Sequence, residues 1–172
     1  MSTRRHMLLL SLALLLPGSL SAQDVPTTVI LVRHAEKAAT PANDPGLTQD
    51  GVKRALALAH VAGSTNAAAI YVSQFRRTKH TVKPLAAALG LTPIEHPAAD
   101  TAGLAHAIRA SWTGKTVVVC GPSNSVPQVI TALTGIAMAD IPDTEFDNLY
   151  VVTLPSHATA GVTHLKYGKK TP

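Results

Sequence analysis

Aromatic residues are scarce: two Phe, one Trp and three Tyr among 172 residues, 3% of the chain. No Lys/Arg cluster is interleaved with these few rings, so no nucleic-acid partner is expected. They also leave no obvious aromatic interface from which an oligomeric state could be read. Cysteine is scarcer still. Cys120 stands alone, so no disulfide can form within the chain and the fold has to rest on its packed core. In the apolar run 116–120 it reads as a small buried hydrophobe. The segment beginning at Gly121 lacks the Gly-Lys-Ser/Thr ending of a nucleotide-phosphate loop, and neither Ser123 nor Ser125 lies in a G-x-S-x-G elbow. No His-x-x-x-His pair or carboxylate cluster has metal-ligand spacing, so neither a metal nor another cofactor is expected.

The amino terminus differs in kind from the rest. MSTRRHM is a basic leader, LLLSLALLL is apolar but too short to span a bilayer, and SLSAQ offers small residues for cleavage. Residues 1–22 therefore read as a signal peptide cut after Ser21 or Ala22. Arg4-Arg5 also resembles a twin-arginine signal, with Met7 where that pattern prefers an aromatic residue, so both export routes stay open. The mature protein is expected to be exported, periplasmic or secreted, with no stable membrane anchor once the leader is gone. Residues 23–172 are the size of one domain. Setting aside Arg4 and Arg5 leaves 13 basic against 10 acidic residues, a net of +3 that suits a small anionic ligand. The basic tail Lys166-Tyr167-Gly168-Lys169-Lys170 reads as a solvated end.

Within that domain, strands alternate with helices. Thr28–Val32 has the mostly β-branched and aliphatic composition of a strand covered on both faces. After a Pro-rich loop at 38–47, Thr48 can cap a helix to about Ala62 with Gly63 as its stop. Ala69–Ser73 is the next strand, and Arg77–Leu89 a helix closed by Gly90, with Pro84 predicting a kink or a start nearer Lys83. Thr92–His96 is a short strand, Thr101 caps a helix to about Trp112, and Thr116–Cys120 is a buried strand. Ser125 or Val126 opens a helix ending near Gly135, with Pro127 in its first turn. Asn148–Leu154 and Val162–Tyr167 close the chain as an antiparallel pair. The order implies an α/β three-layer sandwich, a mostly parallel central sheet with helices on both faces. Arg33-His34, Ser73–Arg77 and Gly121–Asn124 all follow strands, so they meet on one rim, where such sheets hold ligands.

What meets there is specific. LVRHAEK (31–37), Leu47-Thr48 with Gly51, the spacing Ser73, Arg77, Thr81 and the stretch VVVCGPSNSVP (117–127) together resemble the histidine phosphatase superfamily, in its small bacterial branch. The resemblance covers nearly the whole mature chain and implies a phosphoglycerate mutase-like fold. It also implies that His34 attacks phosphorus and carries a phosphoryl group as phosphohistidine, while Arg33 and Arg77 hold the phosphate oxygens. The implied ligand is a small phosphorylated substrate, a phosphomonoester or phosphoamide, or phosphate itself. Arg76 is the neighbouring alternative to Arg77, disfavoured by the spacing. Ser73 either contacts phosphate or ends its strand. Glu36 is a binding or positioning candidate, and Lys37 reads as solvent-facing. Asp100 is the candidate acid for the leaving group, with Glu95 less well placed.

One position departs from the pattern. Pro122 stands where the resemblance calls for a second histidine, and proline offers neither a side-chain donor nor a backbone N–H. Three explanations stay open. Ser123, Asn124 or a histidine brought in by the fold (His60, His80, His96, His106, His157 or His164, with His157 best placed) substitutes for it; or the protein binds phosphorylated ligands without turning them over; or the change is isolated in a scaffold otherwise kept. Loops 38–47, 97–101 and 135–148, where specificity would reside, show little diagnostic chemistry.

Overall fold

The computed structural model describes residues 25–172, so the expected signal peptide lies outside the described residues. Ten elements follow in order: β1 (Thr27–Arg33), α1 (Gln49–Ala62), β2 (Ala69–Val72), α2 (Arg76–Leu89), β3 (Ile94–Glu95), α3 (Thr101–Ser111), β4 (Thr116–Gly121), α4 (Ser125–Thr134), β5 (Asn148–Leu154) and β6 (Gly161–Lys166). The six strands form one sheet in the order β3-β2-β4-β1-β5-β6. The β3-β2-β4-β1 half is parallel, and β5 and β6 run antiparallel beside it.

Alternation along the central strands explains why they read as continuous apolar runs. Val29, Leu31, Val117 and Val119 face one way, into a core shared with Leu104 and Ile108 of α3 and Val129 and Ile130 of α4. Ile30, Val32, Val118 and Cys120 face the other way, onto Leu58 of α1 and Val82 and Leu85 of α2. A strand buried on both faces has no polar side to show. The expected three layers are thus present.

Local chemistry sets most element ends. Thr48 Oγ1 accepts the Gly51 N–H as the α1 cap, and Gly90 takes the left-handed conformation, φ 66°, that closes α2. Gly51 has a second reason: a Cβ there would collide with the carbonyl oxygen of Glu36, so only glycine lets α1 lie against the loop after β1. Three expectations need correction. The second helix starts at Arg76 and runs through Pro84, since a proline removes one helical donor and the flanking turns still bury Val82, Leu85 and Ala86. Asp100, not Thr101, caps α3, its carboxylate accepting the Gly103 N–H at 2.9 Å. His157 follows β5, whose end Leu154 pairs with Thr27 at the base of β1, so it sits at the pole of the sheet opposite His34 and cannot replace the missing histidine.

Candidate active site

Three adjacent strands deliver the site. Arg33 ends β1 opposite Gly121 of β4, and the His34 N–H donates to the Gly121 carbonyl at 2.9 Å. On the other side of β4, Val72 of β2 pairs with Cys120, so the turn 73–75 brings the first residues of α2 to the same rim. Arg33-His34, Arg77 and Gly121–Asn124 are therefore neighbours because β1, β4 and β2 are.

His34 is 3% exposed, and its Nδ1 lies 2.8 Å from the Ala35 carbonyl oxygen. A carbonyl can only accept, so Nδ1 carries the proton and Nε2 presents its lone pair. Burial, reinforced by the charges of Arg33 and Arg77 and only partly opposed by the Ala35 hydrogen bond, pulls its pKa down to about 4. The imidazole is thus neutral at any ordinary pH. The loop behind it is pinned by Thr81, whose Oγ1 accepts the Ala35 N–H at 2.9 Å and donates to the Arg77 carbonyl at 2.7 Å. This gives the Ser73-Arg77-Thr81 spacing its physical content: Thr81 locks the loop after His34 to the helix that carries Arg77.

Arg33 is 2% exposed, and burial lowers its pKa, with Asp143 offsetting and Arg77 adding to the effect. Nη1 donates to the Pro142 and Glu145 carbonyl oxygens at 2.7 and 2.9 Å, and Nη2 to the Asp143 carboxylate at 3.2 Å. The guanidinium also stacks on Phe146, 4.2 Å from the ring centroid. Its Nε–H has no partner. Arg77 repeats the arrangement: stacked on Phe75 at 4.1 Å, it has Nη1 4.0 Å from Asp44, and its Nε is buried and unpartnered. Among the described residues only one other buried side-chain polar atom, the Tyr167 hydroxyl, lacks a partner. A buried donor left without an acceptor costs about 1–3 kcal/mol, more when charged. Both such donors lie on the arginines whose charges reach the neutral His34 imidazole, and a bound anion would satisfy them.

The remaining candidates divide. Arg76 is exposed and uses its backbone N–H on Asp44, so Arg77 is the arginine brought to His34. The Ser73 hydroxyl is hydrogen-bonded to Thr78 Oγ1 at 2.9 Å, within its own turn. Glu36 makes a bidentate pair with the buried Arg54, at 2.8 to 3.1 Å, and Lys37 is exposed. Asp100 caps α3 and meets His96 Nε2 at 3.1 Å. Pro122, Asn124, Arg77, Phe75, Gln74, Ala98 and Ala99 line an open cleft of about 340 Å³. Asn124 immediately precedes α4 without capping it through its side chain, so its amide faces no helix donor. Cys120 is buried, and burial pushes its thiol far up, out of nucleophilic range.

Two elements of the site were not foreseen. The segment 142–146, read from sequence as short on chemistry, holds one whole edge of Arg33. Arg54, buried in α1, ties Glu36 to the carbonyl oxygens of Tyr167 and Lys169. The signals were an alternation Asp143, Glu145, Asp147 just before a strand and an arginine on the apolar side of a helix beside Ala55 and Leu58.

Residues 29–100 match the histidine phosphatase superfamily, branch 1. That span contains His34, Arg77 and Thr81 and stops short of Pro122. Comparison with curated protein sequences finds no match. Among solved structures, the mycobacterial glucosyl-3-phosphoglycerate phosphatase Rv2419c is similar with a TM-score of 0.67 at 14% identity, over 83% of this chain and all of that one. Its complex with inorganic phosphate gives 0.63 at 14% identity, over 79% of this chain and 95% of that chain. The protein histidine phosphatase SixA complexed with tungstate gives 0.64 at 16% identity, over 81% and 96%. The fold is the phosphoglycerate mutase-like three-layer α/β sandwich.

Proposed function

We propose that this chain is an exported phosphatase of the histidine phosphatase superfamily, cleaving a phosphomonoester or phosphoamide through a phosphohistidine at His34. The observation that carries the reading is the neutral, buried His34 between two arginines whose Nε–H groups are buried and unpartnered. The Nε2 lone pair attacks phosphorus as the bond to the leaving group breaks, and that group departs with the electron pair. Water then cleaves the N–P bond, releasing phosphate and restoring the imidazole. Arg33 and Arg77 stabilise the charge that accumulates on the phosphoryl oxygens.

With the Asp100 carboxylate spent as the α3 cap, leaving groups that depart without a protein acid, such as aryl oxides or protonated amines, fit the site best. Pro122 removes one donor from the seat, and the loss of one preorganised donor lowers turnover by about two to three orders of magnitude. Inorganic phosphate and tungstate are bound by the similar structures, which supports a small phosphorylated ligand here. Pro122 also favours a second reading, a family relative that binds phosphorylated ligands in silence.

Purified protein incubated with an aryl phosphate should release phenol slowly and accumulate an acid-labile phosphoenzyme. Arg77→Ala should lower the rate by about a hundredfold, Arg76→Ala should leave it unchanged, and Pro122→His should raise it. Turnover that survives His34→Ala would sink the mechanism; turnover that appears only in Pro122→His would establish the silent binder. Export is tested separately by fractionating cells that express the full chain, where retention in the cytoplasm would overturn it.

A further inference from the structure

Arg33 can clamp an anion only if its free Nε edge is aimed, and the aim is set by groups outside the active-site motifs. Its Nη1 and Nη2 are tied to the Pro142 and Glu145 carbonyls and the Asp143 carboxylate, and its face is covered by Phe146. The segment making all these contacts belongs to no helix or strand, so something must hold it. At one end Ile141 is buried and donates its N–H to the Ser123 carbonyl. At the other end stands Asp147, 2% exposed.

We infer that Asp147 is a positioning residue for Arg33, fixing the 142–146 segment that orients the guanidinium. Asp147 Oδ1 accepts from Thr171 Oγ1 at 2.6 Å and from Lys166 Nζ at 3.0 Å, and Oδ2 accepts the Thr171 N–H at 3.2 Å. Its backbone carbonyl accepts the Tyr167 N–H, and Thr171 Oγ1 receives the Phe146 N–H at 3.3 Å. The stretch that Asp147 grips is itself held by Arg54, through the Tyr167 and Lys169 carbonyls, and Arg54 grips Glu36 in the loop after His34. A closed circuit results, from Arg33 through 142–146, Asp147, Thr171, Lys169, Arg54 and Glu36 back to the His34 loop. A carboxylate suits the post because it accepts three donors at once, which an amide in its place cannot do.

The inference rests on Arg33 being an anion clamp, and tungstate binding by calorimetry separates the two. Arg33→Ala should weaken tungstate; if it does not, the clamp reading itself fails. With the clamp established, Asp147→Asn should weaken tungstate on the order of tenfold, as misaligning one charged contact does. In the Arg33→Ala background the same change should cost nothing further in affinity, while its effect on the melting temperature persists in both backgrounds. A purely structural Asp147 would shift stability and leave affinity alone, or would weaken binding equally in the two backgrounds; either result overturns the inference. Thr171→Val, which removes one hydroxyl from the half-buried end of the circuit, replaces Asp147→Asn in the same cycle if that variant fails to fold.

Discussion

The proposed attack on phosphorus needs an unprotonated histidine, and His34 is kept so by burial while its Nδ1–H is spent on the Ala35 carbonyl. Its imidazole should therefore stay neutral, with the proton on Nδ1, until the pH falls to about 4. Nitrogen-15 NMR of the protein labelled in histidine checks this directly, and protonation at the ordinary value of about 6.5 would contradict it. The sign for stability follows. Between about 6.5, the unfolded value, and 4 the unfolded chain binds more protons, so this contribution is present above 6.5 and is lost as the pH falls through 4. The arginines differ from the histidine in what they need. Their task is geometric, and each meets it by stacking on a phenylalanine that fixes the plane of the guanidinium.

At the level of elements, what the site uses is mostly where strands stop and helices start. Helix α3 illustrates how one residue type answers two needs. The Asp100 carboxylate accepts the Gly103 N–H and meets His96, the work of a helix cap. Asn caps as well as Asp does, so Asp100→Asn should leave both the melting temperature and phosphatase turnover close to wild type. A general acid would instead lose turnover, most of all with alkyl leaving groups, and that result would restore Asp100 to the reaction. Nothing in the sequence separates these roles, because an aspartate before T-A-G-L caps and donates with equal ease on paper. The ends of β1, β2 and β4 were legible for a better reason: doubly buried strands leave long apolar runs, and the polar residues that interrupt them stand out. The 142–146 segment was harder to see, because two of its hydrogen bonds to Arg33 come from main-chain carbonyls, which every sequence possesses, and only Asp143 and Phe146 contribute side chains. Arg54 escaped notice for a related cause, since half its partners are also carbonyls.

Across the whole molecule, the two apolar layers supply the stability and the circuit through Asp147 ties late residues to early ones. Burial alone would raise the Asp147 carboxyl, but the hydrogen bonds from Thr171 and Lys166 outweigh it and hold the group at about 2. Its contribution to stability is therefore intact above the unfolded value of about 3.9 and lost as the pH falls through 2. Urea midpoints measured from pH 5 to 2 should decline over that window, and the decline should be shallower in Thr171→Val; equal slopes would show that Thr171 does not hold the carboxylate. The circuit also gives the molecule a polarity. The start of β1 lies at the base of the sheet beside Leu154, whereas Thr171 lies against Phe146 at the rim. A label or tether placed just before β1 would therefore sit at the pole away from Arg33 and His34, while one placed at Thr171 would disturb the segment that holds Arg33, which decides where on this chain such a handle belongs.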